Sequence, residues 1–142
     1  STKQGQYCFT RMPFGLCAAP ATFQRMMNRI LKAENWLSCV IYLDDVLIYG
    51  NTVEEHNERL DKILQRIEEA GIKLSLTKCK FLQREVKYLG HIISKAGIRT
   101  DPDKIESIHK WNLPNCKKEL QEFLGLCNYY RTFIKDFATI AE

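Results

Sequence analysis

The chain has 142 residues, of which 45% are hydrophobic, and a formal net charge of +4 at pH 7. This length suffices to bury one core with an appendage and is too short for two full-sized independent domains. No apolar run approaches the roughly 18 residues that a membrane-spanning helix needs, so we expect no membrane partner. A net charge of this size is common among soluble domains and is weak support for a polyanionic partner.

The six cysteines lack the paired short spacing that is typical of a zinc site, and most of them lie among apolar residues. We therefore expect reduced thiols in an intracellular protein. Three disulfides in a secreted domain are the alternative. The lack of a signal peptide and the long amphipathic helices disfavour it.

Residues 73–99 carry seven of the 21 basic side chains and one of the 17 acidic ones. This basic segment predicts either a surface that faces a nucleic-acid backbone or a solvated hairpin, and both interpretations stay open. Its members are Lys73, Lys78, Lys80, Arg84, Lys87, Lys95 and Arg99. Four aromatic residues further along the chain would either stack on bases or pack between helices: Trp111, Phe123, Tyr129 and Tyr130.

The first predicted element is a short strand at residues 6–12, where aromatic and polar residues alternate until Pro13 and Gly15 end the pattern. Pro20 then suits the first turn of a helix. Apolar residues recur at helical spacing beyond it and predict one buried stripe: Phe23, Met26, Met27, Ile30 and Leu31.

Residues 37–42 and 46–49 are two strand-like runs separated by Leu43-Asp44-Asp45, which predicts a tight hairpin with both acids at its tip. Thr52 and Glu55 have the spacing of a capping box and predict the start of a second helix, which Gly71 ends. The apolar face of this helix consists of Leu60, Ile63, Leu64 and Ile67.

Residues 72–76, 86–94 and 98–99 predict further strands, the last two joined by a turn at residues 95–97. Asp101-Pro102 is typical of a helix start, and another helical stripe begins near Lys117. The pattern thus changes near residue 100 from mixed strand and helix to helix alone, which predicts an α+β fold.

Asp44 and Asp45 are adjacent carboxylates, which repel each other unless a cation or positive groups lie between them. Mg²⁺ prefers oxygen ligands, and phosphoryl transfer uses such ions to align the attacking oxygen and neutralise developing charge. A solvated Asp-Asp turn is the ordinary alternative. The pair alone does not decide between them.

Several ordered motifs surround this turn. They are Arg11-Met12-Pro13-Phe14-Gly15-Leu16, Ala19-Pro20-Ala21-Thr22-Phe23-Gln24, Tyr42-Leu43-Asp44-Asp45, Ala70-Gly71-Ile72-Lys73-Leu74, Tyr88-Leu89-Gly90-His91 and, near the end, Glu119-Leu120-Gln121-Glu122-Phe123-Leu124-Gly125-Leu126 with Asn128-Tyr129-Tyr130-Arg131. In this order and spacing the chain resembles the reverse transcriptases of gypsy-type long-terminal-repeat retrotransposons. The resemblance covers nearly all residues from 5 onward.

The resemblance implies a partial polymerase palm in residues 1–100, built as an antiparallel sheet with two packing helices, and a helical thumb region in residues 101–142. It implies an RNA-directed DNA polymerase that extends a primer by Mg²⁺-dependent nucleotidyl transfer. The partners would be an RNA or DNA template-primer and a deoxynucleoside triphosphate, in the cytoplasm, the nucleus or a virus-like particle.

Residue roles follow from the same resemblance. Asp44 would be a catalytic metal ligand and Asp45 a supporting one. Lys78 matches a lysine that protonates or steadies the leaving pyrophosphate, although a solvated surface lysine is the alternative.

The resemblance places Phe14 and Gly15 beside the incoming nucleotide. Because retroviral relatives carry Gln before this Gly, we expect Phe14 to pack rather than to hydrogen-bond. Tyr42 would lie near the primer end. A hairpin gripping the primer would contain Tyr88, Leu89, Gly90 and His91, for which an amphipathic strand with a glycine bulge is the alternative.

The family also uses an aspartate from an earlier strand, whereas this chain has no aspartate before Asp44. We therefore expect a two-metal site that lacks one ligand-bearing strand and a chain that is inactive alone. Because that strand would lie beside the acidic hairpin, we also expect self-association or pairing with an upstream polymerase segment. The alternative is a non-enzymatic nucleic-acid-binding or protein-binding module derived from a retrotransposon.

Overall fold

The structure, a computed structural model, describes residues 3–13 and 15–142. In chain order, its helices and strands are α1 (Ala19–Ile30), β1 (Cys39–Tyr42), β2 (Asp45–Ile48), α2 (Val53–Glu69), β3 (Glu85–Tyr88), β4 (His91–Ser94), β5 (Gly97–Thr100), α3 (Pro102–His109), α4 (Lys117–Tyr129) and α5 (Phe137–Ile140). Short 3-10 helices span Leu76–Lys78 and Arg131–Phe133. The α+β fold class is confirmed. The chain forms two compact units, Ser1–Cys79 and Lys80–Glu142, called here the N-terminal and C-terminal units.

The two helices of the N-terminal unit begin where their capping residues predict. Pro20 lies in the first turn of α1, where its fixed φ suits a helix and its missing N–H leaves no bond unmade. At the start of α2, Thr52 Oγ1 accepts a hydrogen bond from the Glu55 N–H (3.1 Å). The Glu55 carboxylate in turn accepts one from the Asn51 N–H (2.7 Å). These bonds satisfy backbone donors that the helix itself leaves free.

The core of the N-terminal unit joins both helices to the β1–β2 hairpin. Its buried residues are Met27, Leu31, Cys39, Ile41, Ile63 and Ile67. The expected antiparallel sheet with two packing helices is therefore confirmed. Burial, followed by the nearby Glu34 charge, raises the pKa of the Cys39 thiol to about 11, so this thiol stays protonated and acts as a small apolar side chain.

The acidic hairpin has a tighter turn than the sequence pattern predicts. Tyr42 pairs with Asp45 across the ladder, so only Leu43 and Asp44 form the turn and Asp45 is the first residue of β2. Leu43 has φ +53°, a left-handed conformation that costs a leucine about 1–2 kcal/mol. The turn therefore needs support from its surroundings.

Two predicted strands are wrong. Residues 6–12 and 72–75 form no strand, and Leu76 begins a 3-10 helix. A strand needs a partner for its backbone groups, and no described residue pairs with either segment. The apolar pattern after Gly71 instead covers the end of α2, where the Ile72 N–H donates to the Ile67 carbonyl (3.1 Å) and Ile72 packs against the core.

The C-terminal unit contains an antiparallel sheet of order β3-β4-β5. A single strand over residues 86–94 is wrong, because the chain reverses at Leu89-Gly90 and Tyr88 pairs with His91. Both turn residues have positive φ, +47° at Leu89 and +72° at Gly90, as the tightest two-residue hairpins require. The alternative of a glycine bulge in one strand is excluded for the same reason.

Asp101 links this sheet to α3. Its carboxylate Oδ1 accepts hydrogen bonds from the Asp103 N–H at the helix start (3.2 Å) and from Lys87 Nζ on β3 (3.0 Å). Lys87 also contacts Asp103 Oδ2 at 2.5 Å. The hydrogen bond from Lys87 is the main cause that lowers the pKa of Asp101, and the bond to Asp103 is the main cause that raises the pKa of Lys87.

This arrangement predicts a specific loss of stability in acid. Because the folded pKa of Asp101 lies below its ordinary value, its contribution is complete above about pH 5 and disappears as the pH falls through the folded pKa. We expect Asp101→Asn to flatten the acid limb of stability for the C-terminal unit, measured by amide exchange of β4. Asp61→Asn, at an exposed carboxylate on α2, is the control. An unchanged acid limb in Asp101→Asn would contradict the assignment.

No helix in the described part of the chain combines the length and the apolar character needed to span a lipid bilayer. All six cysteines lie among the described residues, and each is a free thiol.

Candidate active site

The acidic turn places two unneutralised carboxylates next to each other at the surface. Asp44 and Asp45 are both exposed. Within residues 3–13 and 15–142, neither side chain has an ion pair or a hydrogen-bond donor. Their mutual repulsion is therefore not relieved by these parts of the protein, which favours a cation between them.

Gln24 on α1 holds the turn through its backbone. Its Oε1 accepts a hydrogen bond from the Leu43 N–H (2.5 Å), and its Nε2 donates to the Ile41 carbonyl (3.4 Å). The side-chain amide thus bonds the backbone on either side of Tyr42. This support offsets the left-handed conformation of Leu43. The sequence analysis missed the role, and its one available signal was the place of Gln24 at the end of a motif.

We expect loss of this support to loosen the turn. Gln24→Met keeps a long side chain on α1 and removes both the acceptor and the donor. The Leu43 amide should then exchange with solvent at least about 10-fold faster, as loss of about 1.4 kcal/mol of protection implies. Gln65→Met, at an exposed position on α2, is the matched control. Unchanged exchange at Leu43 would show that Gln24 does not support the turn.

The carboxylates fit a divalent cation only in part. Oxygen ligands suit Mg²⁺, and Asp44 and Asp45 supply them. However, no group of three His, Cys, Asp or Glu side chains that could hold a metal occurs among the described residues. An ion held here would need ligands from water, substrate phosphate or other protein residues.

The other predicted residues of the N-terminal unit are dispersed along its surface. Tyr42, at the end of β1, is 49% exposed. Gly15 is exposed with φ +86°, and Phe14 lies outside the described residues. Lys78 ends a 3-10 helix and is exposed, and it forms no ion pair with either aspartate in the described structure. The roles of these residues stay predictions.

The predicted primer hairpin lies in the C-terminal unit and is held by the end of α4. The Tyr129 hydroxyl donates to the Leu89 carbonyl (2.6 Å), and the Tyr130 hydroxyl donates to the Gly90 carbonyl (3.2 Å). The His91 ring stacks on the Tyr129 ring, with centroids 5.4 Å apart. Both tyrosines therefore pack within the protein, as Trp111 and Phe123 also do against each other.

The basic segment divides into paired and unpaired side chains. Lys87 contacts Asp101 and Asp103, and Arg99 contacts Glu85 (3.1 Å). Five exposed members form no ion pair within the described residues: Lys73, Lys78, Lys80, Arg84 and Lys95. These five are the ones free to attract a polyanion.

Comparison with known proteins identifies the family. The model of the family described as reverse transcriptase (RNA-dependent DNA polymerase) matches residues 1–93, more than half of the chain. The chain belongs to the reverse transcriptase family.

Relatives place it in one branch of that family. The chain is 44% identical over 142 residues to the retrovirus-related Pol polyprotein from transposon 297 of Drosophila melanogaster, covering 100% of the chain and 13% of the polyprotein. It is 40% identical over 142 residues to that from transposon gypsy of the same species, covering 100% of the chain and 14% of the polyprotein. The resemblance to gypsy-type retrotransposon reverse transcriptases is confirmed. The chain spans a small part of the relatives it matches.

Solved reverse transcriptases have the same fold. A foamy viral protease-reverse transcriptase in complex with double-stranded DNA matches with a TM-score of 0.83 and 35% identity, over 93% of this chain and 23% of that one. The foamy viral enzyme in complex with an RNA/DNA hybrid matches with a TM-score of 0.72 and 31% identity, over 94% of this chain and 19% of that one.

Proposed function

We propose that this reverse transcriptase segment carries part of the catalytic centre of an RNA-directed DNA polymerase. The observation that carries the proposal is the Asp44-Asp45 turn, which is exposed, free of protein cations in the described structure and supported by Gln24. Asp44 and Asp45 would hold Mg²⁺, with Asp44 the principal ligand. When bound, the ion would neutralise charge that develops on the phosphates during nucleotidyl transfer.

The remaining roles are proposed by position. Residues 1–100 would form part of the palm and residues 101–142 the thumb region. Tyr42 and residues 88–91 would contact the primer, and Phe14 with Gly15 would border the incoming nucleotide. Lys78 would steady the leaving pyrophosphate, since an exposed lysine without an acidic partner is free to meet it. The protein would work inside the cell on an RNA or DNA template-primer.

We infer that the 142 residues alone do not catalyse extension. Two-metal nucleotidyl transfer requires carboxylates beyond adjacent Asp44 and Asp45, and the described residues contain no third candidate beside them. Purified chain, assayed with template-primer, deoxynucleotides and Mg²⁺, should give no incorporation above background. Robust incorporation that Asp44→Ala abolishes would overturn this inference.

Nucleic-acid contact through the basic segment predicts a change in salt dependence. Replacing Lys78, Lys80 and Arg84 by Gln should weaken template-primer binding and reduce the slope of log K against log salt by about 2–3, because each lost phosphate contact contributes about 0.9. Lys87→Gln is the matched control, since Asp101 and Asp103 already neutralise this lysine. Equal salt slopes in the wild type and the triple variant would remove the segment from the nucleic-acid interface.

The open edges of the acidic hairpin support a further association. β1 and β2 form a two-stranded sheet, and no third strand among the described residues pairs with either. Unpaired edges favour strand addition, so we propose that this unit self-associates or pairs with another polymerase segment. Sedimentation at tens of micromolar should reveal dimers or larger species. A clean monomer would contradict self-association.

The second candidate function is a non-enzymatic module derived from a retrotransposon. The observation that favours it is the lack of a third metal-ligating side chain in the described structure. The full reading frame discriminates between the candidates. A frame that supplies an aspartate-bearing strand and nuclease and integrase regions supports the polymerase, whereas a frame without them supports the binding module.

A further inference from the structure

The Leu89-Gly90 turn is bonded to the end of α4 through both of its carbonyl groups. The Leu89 carbonyl accepts from the Tyr129 hydroxyl, and the Gly90 carbonyl accepts from the Tyr130 hydroxyl. The Gly90 carbonyl also accepts a longer hydrogen bond from the Asp101 N–H (3.3 Å). Two consecutive peptide groups are thus fixed in orientation by residues about 40 positions further along the chain.

The contact at Gly90 is close enough to constrain the residue type. A Cβ added to Gly90 would lie 2.9 Å from the Tyr130 hydroxyl oxygen, closer than real Cβ contacts allow. The positive φ of Gly90 independently favours glycine. Gly90 and Tyr130 therefore fit each other, because the missing side chain lets the hydroxyl reach the backbone.

The two tyrosines differ in exposure and serve the same turn. Tyr130 is 3% exposed, and burial, then Tyr129 and Asp101, raises the pKa of its hydroxyl, which keeps it a neutral donor. Tyr129 is 54% exposed, with its ring stacked on His91. The His91 ring also contacts the Tyr130 and Phe133 rings, with centroids 5.6 Å away in each case. The rings thus give rigidity, and the hydroxyls give direction.

We propose that Tyr129 and Tyr130 are positioning residues, whose hydroxyl groups orient the Leu89-Gly90 turn and through it the primer strand. The inference rests on the proposed function, because it takes residues 88–91 as the primer contact. The tyrosines themselves touch no reacting atom. They set where the primer end lies, and small displacements of reacting groups are costly in rate.

The test removes the hydroxyl groups and keeps the rings. In the complete reverse transcriptase that contains this segment, Tyr129→Phe/Tyr130→Phe should lower the single-turnover extension rate about 10-fold, as loss of two hydrogen bonds implies. The Kd for template-primer should change less than about 3-fold, because backbone phosphate contacts dominate affinity. The fluorescence of 2-aminopurine at the primer end should report a changed environment.

Tyr49→Phe is the matched control, because its hydroxyl donates to the Trp36 carbonyl (2.8 Å) in the N-terminal unit. It should lose comparable stability and keep the wild-type extension rate. If the double variant does not fold, Tyr129→Phe, at the more exposed ring, carries the test with an expected loss of about 3-fold. An extension rate within the scatter of the control overturns the inference. A wild-type enzyme that extends no primer overturns the proposed function instead.

Discussion

Asp44→Asn in the complete reverse transcriptase should lower primer extension at least about 10³-fold, equivalent to about 4 kcal/mol of transition-state stabilisation. The substitution keeps the size of the side chain and removes the charge that would hold Mg²⁺. Because Asp44 is exposed and makes no described hydrogen bond or ion pair, its loss should leave the folded structure stable. Steady-state and single-turnover extension assays measure the effect.

Asp61→Asn is the control for this substitution, since it removes the same charge from an exposed position on α2. It should retain activity within about 2-fold, because single surface charges act weakly at a distance in salt. Asp45→Asn should fall between the two variants. Near wild-type extension in Asp44→Asn would remove this turn from the catalytic centre.

Ile63→Ala should destabilise the N-terminal unit by about 2–5 kcal/mol, a large part of the 5–15 kcal/mol that is typical of a whole domain. Ile63 is fully buried on α2, in the core that it shares with Leu31 of α1 and Cys39 of β1. The truncation leaves a cavity between both helices and the hairpin that carries the aspartates. Urea unfolding, followed by the fluorescence of Trp36, measures the loss.

Gln65→Ala, at an exposed position two residues further along α2, is the matched control. Its effect should stay within about 0.5 kcal/mol. A change below about 1 kcal/mol in Ile63→Ala would mean that the helices and the hairpin do not share a tight core.

The elements with strong local signals were predictable. Pro20 and Thr52 begin helices because their side chains suit the first helical turn, and both starts are confirmed. Residues 6–12 and 72–76 were predicted wrongly, because alternation shows which side chains are apolar and not whether a strand has a partner. The turn between β3 and β4 was missed for a related reason. Leu89 has a left-handed conformation that its side chain disfavours, and contacts with α4 hold it there.

The candidate site was predictable in its residues and not in its supports. The Asp44-Asp45 pair follows from adjacent charges and ordered motifs. The bonds from Gln24 and Tyr130 join residues 17 or more positions apart, which no local pattern reveals. The pairing of Lys87 with Asp101 likewise depends on how β3 meets α3, so a basic run in sequence becomes a smaller set of unpaired charges in the fold.

The most direct test of the central claim is cation binding at the acidic turn. Mn²⁺ accepts the same oxygen ligands as Mg²⁺, and it broadens the NMR signals of nearby nuclei. Titration of the 142-residue chain should broaden the amide signals around Asp44 and Asp45 first, and the effect should disappear in Asp44→Asn/Asp45→Asn. Excess Mg²⁺ should reverse it. Broadening that is absent from the turn, or equal there and at Asp61 on α2, would contradict the assignment of this turn as a metal site.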